Sequence, residues 1–252
     1  ISAFDVPNVI KRMALITGLA TWEWVQEMIS KYGEDSDIYR VRVLGEFPKH
    51  EADTLISIDS ISKSIDADRE MYGEDEYILL DPARYGKDKA AFVYKKGNYA
   101  MVLEEIASSD LMVLAGKMVQ YLEKYPKAQG RIDIIGVGAG VFDRLKELPK
   151  VRSRVAGVNV AVAAGDKEHY ANMRAEAWDL MRLWLRDCIL EKHEGWYELA
   201  QPKMKIKSDG KMQLESKEDM KKRGVKSPNI ADALSLAFAK PSEGGSIPIL
   251  WG

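Results

Sequence analysis

The run Glu76-Tyr-Ile-Leu-Leu-Asp81, read with the segments that follow it as far as Glu105, decides how this chain folds. A short apolar run that ends in an acid is typical of a buried strand. A glycine-containing turn, Tyr85-Gly-Lys-Asp88, leads to a second strand, Ala90-Ala-Phe-Val-Tyr94. Lys96-Gly-Asn98 is a tight hairpin signal before a third, Tyr99-Ala-Met-Val-Leu-Glu-Glu105. The spacing predicts three consecutive strands in a meander.

Downstream, Leu111, Leu114, Met118 and Tyr121/Leu122 recur at helical spacing and predict a helix over 110–124. Arg131-Ile-Asp-Ile-Ile-Gly136 reads as a fourth strand, residues 141–148 as a helix and 155–161 as a fifth strand. A long amphipathic helix is expected over 170–190, with Met173, Ala177, Leu180, Met181, Trp184 and Cys188 on one face. Residues 203–207 and 211–215 flank Ser208-Asp-Gly210 as a further hairpin. Ser227-Pro228 then opens a last helix, serine at the N-cap and proline at the first helical position. Upstream, Thr21 suits the N-cap of a helix that ends at Gly33, Gly45-Glu-Phe-Pro48 breaks the pattern, and a short helix is expected within 57–70. These elements predict an α/β domain: a mixed five-stranded sheet, three-strand meander plus two further strands, flanked by helices and carrying an added β-hairpin. We divide the chain into a connector (1–75), this domain (76–241) and a C-terminal tail (242–252).

The 252 residues suffice for one large domain with a real core, and 46% apolar with 30% charged residues excludes disorder and fibrous repeats. One cysteine, Cys188, excludes a disulfide framework and a cysteine-built metal site, and it points to a reducing compartment. No apolar run approaches the ~20 residues of a membrane span, and no signal peptide is visible. The start at Ile1 reads as that of a fragment of a longer polypeptide. Net charge is −2, but residues 202–226 hold nine cations against four anions, +5, which leaves −7 elsewhere. Such a stretch suits a polyanion partner.

Three aspartates stand where their surroundings disfavour them. Asp81 ends an apolar strand, Asp133 interrupts Ile132, Ile134 and Ile135, and Asp232 lies in Ile230-Ala-Asp-Ala-Leu-Ser-Leu-Ala-Phe238, apolar on almost every side. Burying an ionised carboxylate is costly unless it is paired or metal-bound. Three together raise one another's pKa values, and divalent cations relieve that repulsion; oxygen ligands select hard ions such as magnesium or manganese. Other motifs carry less. Gly136-Val-Gly-Ala-Gly140 lacks the third small residue of a dinucleotide loop, since Val141 stands there, and reads as a tight strand-to-helix turn. No P-loop motif exists. His50, His169 and His193 have no ligand spacing and suit surface roles, and Trp22 and Trp24 read as core or interface anchors.

Taken together these residues resemble the large subunit of tailed-phage terminases, specifically its C-terminal nuclease domain with the end of the preceding ATPase part. Leu80-Asp-Pro-Ala-Arg-Tyr-Gly-Lys-Asp88 looks like that family's first acidic motif, Ile132-Asp-Ile-Ile-Gly-Val-Gly-Ala-Gly-Val-Phe-Asp143 like its second, and Ser227-Pro-Asn-Ile-Ala-Asp-Ala-Leu234 like its third. Ser2-Ala-Phe-Asp-Val-Pro-Asn8 and Gly45-Glu-Phe-Pro48 are similar to stretches that flank the nuclease. The resemblance implies a ribonuclease H-like fold and an endonuclease that cuts double-stranded concatemeric viral DNA at packaging, in the cytoplasm of the host cell. It implies two divalent cations, Mg2+ or Mn2+, on Asp81, Asp133 and Asp232, with a supporting or second-metal role for Asp88 and Asp143. Implied partners are double-stranded DNA, a portal protein, a small terminase subunit and an ATPase domain upstream in the same polypeptide.

The leading expectation is therefore two-metal phosphodiester hydrolysis, with ions ~3.5–4 Å apart bridged by Asp81. Lys203, Lys205 and Lys207 alternate along one strand and would track a DNA backbone. Lys217, Lys221, Lys222 and Arg223 would grip it nearer the scissile bond. The rivals are a Holliday-junction resolvase or integrase-like nuclease of the same fold, and a non-catalytic DNA or portal docking module.

Overall fold

The computed structural model describes residues 2–34, 39–46, 54–83, 89–107 and 110–242. Strand β1 (Glu76–Asp81) lies inside a mixed sheet. β2 (Ala90–Lys96) pairs antiparallel with it and β3 (Tyr99–Ile106) antiparallel with β2. On the other side β4 (Gln129–Asp133) runs parallel to β1, and β5 (Val155–Val158) parallel to β4. The meander and both further strands are thus present, and β1 keeps the bounds that its apolar run suggests. A sixth strand, β6 (Ile189–Leu190), joins the far edge parallel to β3, giving the order β5-β4-β1-β2-β3-β6.

Helices α1 (Pro7–Lys11), α2 (Trp22–Tyr32) and α3 (Ile58–Ser64) precede the sheet. α4 (Leu111–Lys124) follows β3, α5 (Gly138–Glu147) follows β4 and α6 (Met173–Trp184) follows β5. After β6 come a 3-10 helix (Glu194–Ala200), the hairpin β7 (Met204–Ile206) and β8 (Met212–Leu214), then α7 (Lys217–Lys222) and α8 (Asn229–Ser235). Several local expectations need correction. β4 ends at Asp133 and β5 at Val158, short of the expected 136 and 161, because their pairing stops where the chain turns away after Asp133. The helix expected over 170–190 is shorter, because the chain leaves it to form β6, where the amides of Ile189 and Glu191 bond the carbonyls of Asn98 and Ala100. The last helix starts one residue later than expected: Pro228 is its N-cap and supplies no capping side chain.

Side-chain alternation along β1 separates two cores. Ile78 and Leu80 join Phe92, Ile132 and the apolar faces of α4 and α5 on one side of the sheet. Leu79 faces the other way, into a core with Trp178 and Met181 of α6 and Ile230 and Leu234 of α8. Buried side chains of the N-terminal segment, among them Val25, Met28, Ile56 and Ile61, enter this second core. Two residues beyond Leu79, Asp81 belongs to the same side. β4 repeats the pattern, since Leu79 pairs with Arg131 and Leu80 with Ile132, so Asp133 follows beside Asp81. The turn that leaves β4 is tight. Gly136 has φ of +64°, and a Cβ on Gly138 would lie 1.7 Å from the Asp133 carbonyl oxygen. Gly136 and Gly138 serve that turn, whereas Gly140 lies within α5 and faces Leu111.

Candidate metal centre

Parallel strands open a crevice beyond their carboxyl ends, and here two acids stand at that edge. Asp81 closes β1 and Asp133 closes β4. Asp232 comes from α8, which packs on β1 and β2. The three line one cleft of about 370 Å³, together with Asn172, Arg174 and Lys217. Asp81 and Asp232 are each 7% exposed. Convergence from two strands and a helix joins positions that lie 52 and 99 residues apart along the chain.

The two oxygens of Asp232 differ. Oδ1 accepts hydrogen bonds from Trp178 Nε1 and Arg174 Nη2, both at 3.2 Å. Oδ2 is buried and pairs with the Lys217 ammonium at 2.9 Å. The same ammonium stands 3.8 Å from Asp81 Oδ2. The stem of Lys217 is half-exposed, and its head reaches into the cleft. Asp133 Oδ1 accepts the Ile135 amide at 2.9 Å.

These contacts decide the protonation states. Burial raises the pKa of Asp81 to about 7; Lys217 opposes the rise and the carboxylates of Asp232 and Asp133 add to it. Asp133 is also raised, chiefly by burial, against its backbone hydrogen bond. Burial pushes Asp232 up as well, but Lys217 and Arg174 together outweigh it and hold the group below the ordinary carboxylate range. Hydrogen bonds to a charged group contribute about 1.5–3 kcal/mol each, enough to offset much of a desolvation penalty of several kcal/mol at Oδ1. Lys217 is in turn raised, first by Asp232.

The donor set fits a hard divalent cation. The candidate ligands are carboxylate oxygens, and the Lys217 ammonium already stands beside two of them as a cation would. Among the described residues no three His, Cys, Asp or Glu side chains are grouped tightly enough to enclose an ion unaided. Magnesium does not require such a cage, because it keeps waters and is bound through one or two carboxylates plus substrate phosphate.

The other expected site residues are dispersed. Asp88 lies outside the described residues, as does His50. Asp143 is exposed on α5 and is not part of the cleft lining. Lys203 is half-buried and its amide donates to Glu215 Oε2, whereas Lys205 and Lys207 are exposed on the hairpin. Lys221 and Lys222 are exposed on α7, Lys222 paired with Asp219 at 3.0 Å. Arg223 is engaged by Glu215 at 2.7 Å and by the Gln201 carbonyl. His169 pairs with Asp166, His193 accepts the Gly195 amide, and Trp22 and Trp24 pack half-buried against the core. Sequence reasoning missed Arg174 and Trp178. Their i, i+4 spacing on one helix face was the available signal.

Sheet order, the paired acids at the ends of β1 and β4 and the helix that brings a third acid across them define a ribonuclease H-like α/β domain. Solved structures with this fold include the nuclease domain of the large terminase subunit gp2 of bacterial virus Sf6, with a TM-score of 0.65 at 18% identity over 75% of this chain and 99% of that one. A variant of that domain with manganese and beta-thujaplicinol gives 0.64 at 19%, over 75% and 99%. The large terminase nuclease from thermophilic phage G20c with bound magnesium gives 0.53 at 15%, over 75% and 98%. At these identities the likeness establishes the fold. No family model matches the chain, and no curated protein matches it in sequence. No helix among the described residues is long and apolar enough to cross a membrane.

Proposed function

We propose that this chain is the nuclease domain of a tailed-phage terminase large subunit, a metal-dependent endonuclease that cuts double-stranded concatemeric viral DNA during packaging. The observation that carries the reading is the meeting of Asp81, Asp133 and Asp232 in one cleft, with the Lys217 ammonium standing as the cation between Asp81 and Asp232. The sequence motifs and the solved nuclease structures with manganese and magnesium support it from independent directions. Fold alone would not, since one fold hosts many chemistries.

Asp81, Asp133 and Asp232 would hold two divalent cations, Mg2+ or Mn2+. When bound, such ions activate a water and stabilise the leaving 3′ oxygen. Arg174 and Trp178 orient Asp232 through Oδ1 and so leave Oδ2 to face the cleft. Lys217 neutralises the carboxylates in the metal-free protein and, on its half-exposed stem, can swing out to a phosphate oxygen. Lys203, Lys205 and Lys207 on the hairpin, with Lys221, Lys222 and Arg223, form the basic approach to DNA. Asp88 keeps its proposed supporting role, whereas Asp143, exposed on α5 and outside the cleft lining, is not assigned one.

In this reading residues 1–75 connect to an upstream ATPase domain, 76–241 are the nuclease and 242–252 a tail. The portal and a small terminase subunit are the partners, in the host cytoplasm. The test is incubation with supercoiled plasmid in manganese, magnesium or chelator. Nicking or linearisation with either ion and none with chelator is expected. Intact plasmid throughout, or cleavage in chelator, refutes the reading.

A further inference from the structure

Helix α8 carries Asp232 yet has only seven residues and no capping side chain of its own. Its ends are held by two distant charged groups. At the start, the Glu198 carboxylate, 6% exposed on the 3-10 helix, accepts the Ile230 amide at 2.8 Å. At the end, Arg131 Nη1 donates to the carbonyls of Leu236, Ala237 and Ala239 at 2.9, 2.8 and 2.9 Å. Those carbonyls lie past the last helical turn, where no helical amide follows to serve them. The signs match the helix dipole, an anion at the amino end and a cation at the carboxyl end.

Both anchors reach into the metal cleft's frame. Arg131 stands two residues before Asp133 on β4, on the same side of the strand, so one strand end bears an acid and grips the helix that bears another. Its guanidinium lies on the Tyr77 ring of β1, 4.3 Å from the centroid, while Nη2 donates to the Tyr77 hydroxyl at 3.3 Å. Nε is buried without an acceptor. A guanidinium buried at that expense is more than an apolar core needs. The Glu198 side seats α8 closely, since a Cβ on Gly195 would lie 2.1 Å from Ile230 Cδ1.

We propose that Arg131 and Glu198 are positioning residues that clamp α8 at both ends and set Asp232 against Asp81 and Asp133 for cation binding. The proposal rests on the reading of the cleft as a metal site. Its distinguishing property is that loss of the clamp weakens metal binding beyond any loss of stability, because displacing a carboxylate from its partners acts on the ion directly. Loss of a partner bonded directly to a ligand typically lowers metal affinity by about 10–100-fold. Arg131 and Glu198 act one step further out, through the helix that carries Asp232, so the low end of that range is expected.

The test is the melting temperature of the full chain without metal and across a magnesium titration. Arg131→Met keeps the buried stem and removes the donors, and Arg131→Lys returns donors on a shorter stem. Glu198→Met removes the acceptor, and Glu198→Gln restores one. The wild type should show a magnesium-induced rise. Both Met variants should require at least about tenfold more magnesium for the same increment, with partial recovery in Arg131→Lys and Glu198→Gln. Met variants that melt lower without metal but keep the wild-type half-saturating magnesium would overturn the proposal, leaving both groups as structural anchors. Should Arg131→Met not fold, Arg131→Lys and Glu198→Met decide the matter by the same criterion. A wild type indifferent to magnesium overturns the metal reading itself, and the clamp with it.

Discussion

At one end of the β1–β2 pair the Lys95 ammonium is buried in a finished setting. It meets Asp75 Oδ2 and the Gly97 carbonyl at 2.7 Å each, with the rings of Tyr77, Trp184 and Phe238 at 5.3–5.8 Å. At the other end the buried carboxylates of Asp81 and Asp232 share one lysine, Lys217, at 3.8 and 2.9 Å, with Asp133 in the same cleft. Both ends bury charge. The Lys95 end is satisfied by partners within the protein, as a structural charge requires. The cleft end sets three carboxylates against Lys217 and Arg174, and that excess of negative charge is what a cation can complete.

The sharpest way to break this contrast is to neutralise each end and measure cleavage. Asp81→Asn or Asp232→Asn should lower metal-dependent plasmid cleavage by more than the roughly 100-fold that outer-shell losses reach, with the fold retained by circular dichroism. Near-normal cleavage in either variant would remove the distinction.

The next largest effect is on stability against pH. Asp81 has a folded pKa of about 7, above its ordinary value of 3.8. Its contribution is therefore fully present below about pH 4 and is lost as pH rises through about 7. The metal-free protein should weaken over that window, by at most about 4 kcal/mol at 1.36 kcal/mol per unit. Asp81→Asn should flatten this slope and be the more stable form at pH 8, as urea titrations at pH 4, 6 and 8 would register.

Lys95→Met should do the reverse of the cleft variants. Losing a buried ion pair costs about 3–5 kcal/mol, and the half-exposure of Asp75 reduces that to about 2–3. Cleavage per folded molecule at 25 °C should be unchanged. A loss of activity with full stability would show that the two ends are coupled.

The smallest effect concerns the hairpin, which lines the cleft through Gln213 and Leu214 but not through Lys205 or Lys207. Lys205→Gln with Lys207→Gln should flatten the slope of log affinity for DNA against log salt by about 1.8, with magnesium affinity intact. An unchanged slope would leave the hairpin as a solvated element and the DNA surface unassigned.

Much of the frame was legible in local pattern. The apolar run of 76–81, the Lys96-Gly97-Asn98 turn and the N-cap at Thr21 all express forces that act within a few residues, so spacing reports them directly. Ile189 and Leu190 were illegible as a strand because two residues show no period, and their pairing with Tyr99 and Ala100 is entirely non-local. Position within the site was harder still. Lys217 is one of nine cations in its stretch, and nothing along the chain separates it from Lys221 or Lys222; the packing of α7 beside the cleft does.

By itself the sequence determined which residues are disfavoured where they stand: three acids in apolar surroundings on two strands and a helix. Burial is written into composition and alternation, and both are local quantities. Tertiary structure alone decided that Arg174 and Trp178 hold one oxygen of Asp232 and that Lys217 stands beside the other. It also decided that Arg131 and Glu198 meet the two ends of one helix. Those outcomes depend on distances between segments far apart in the chain, and electrostatic and hydrogen-bond energies change over fractions of an ångström to a few ångströms.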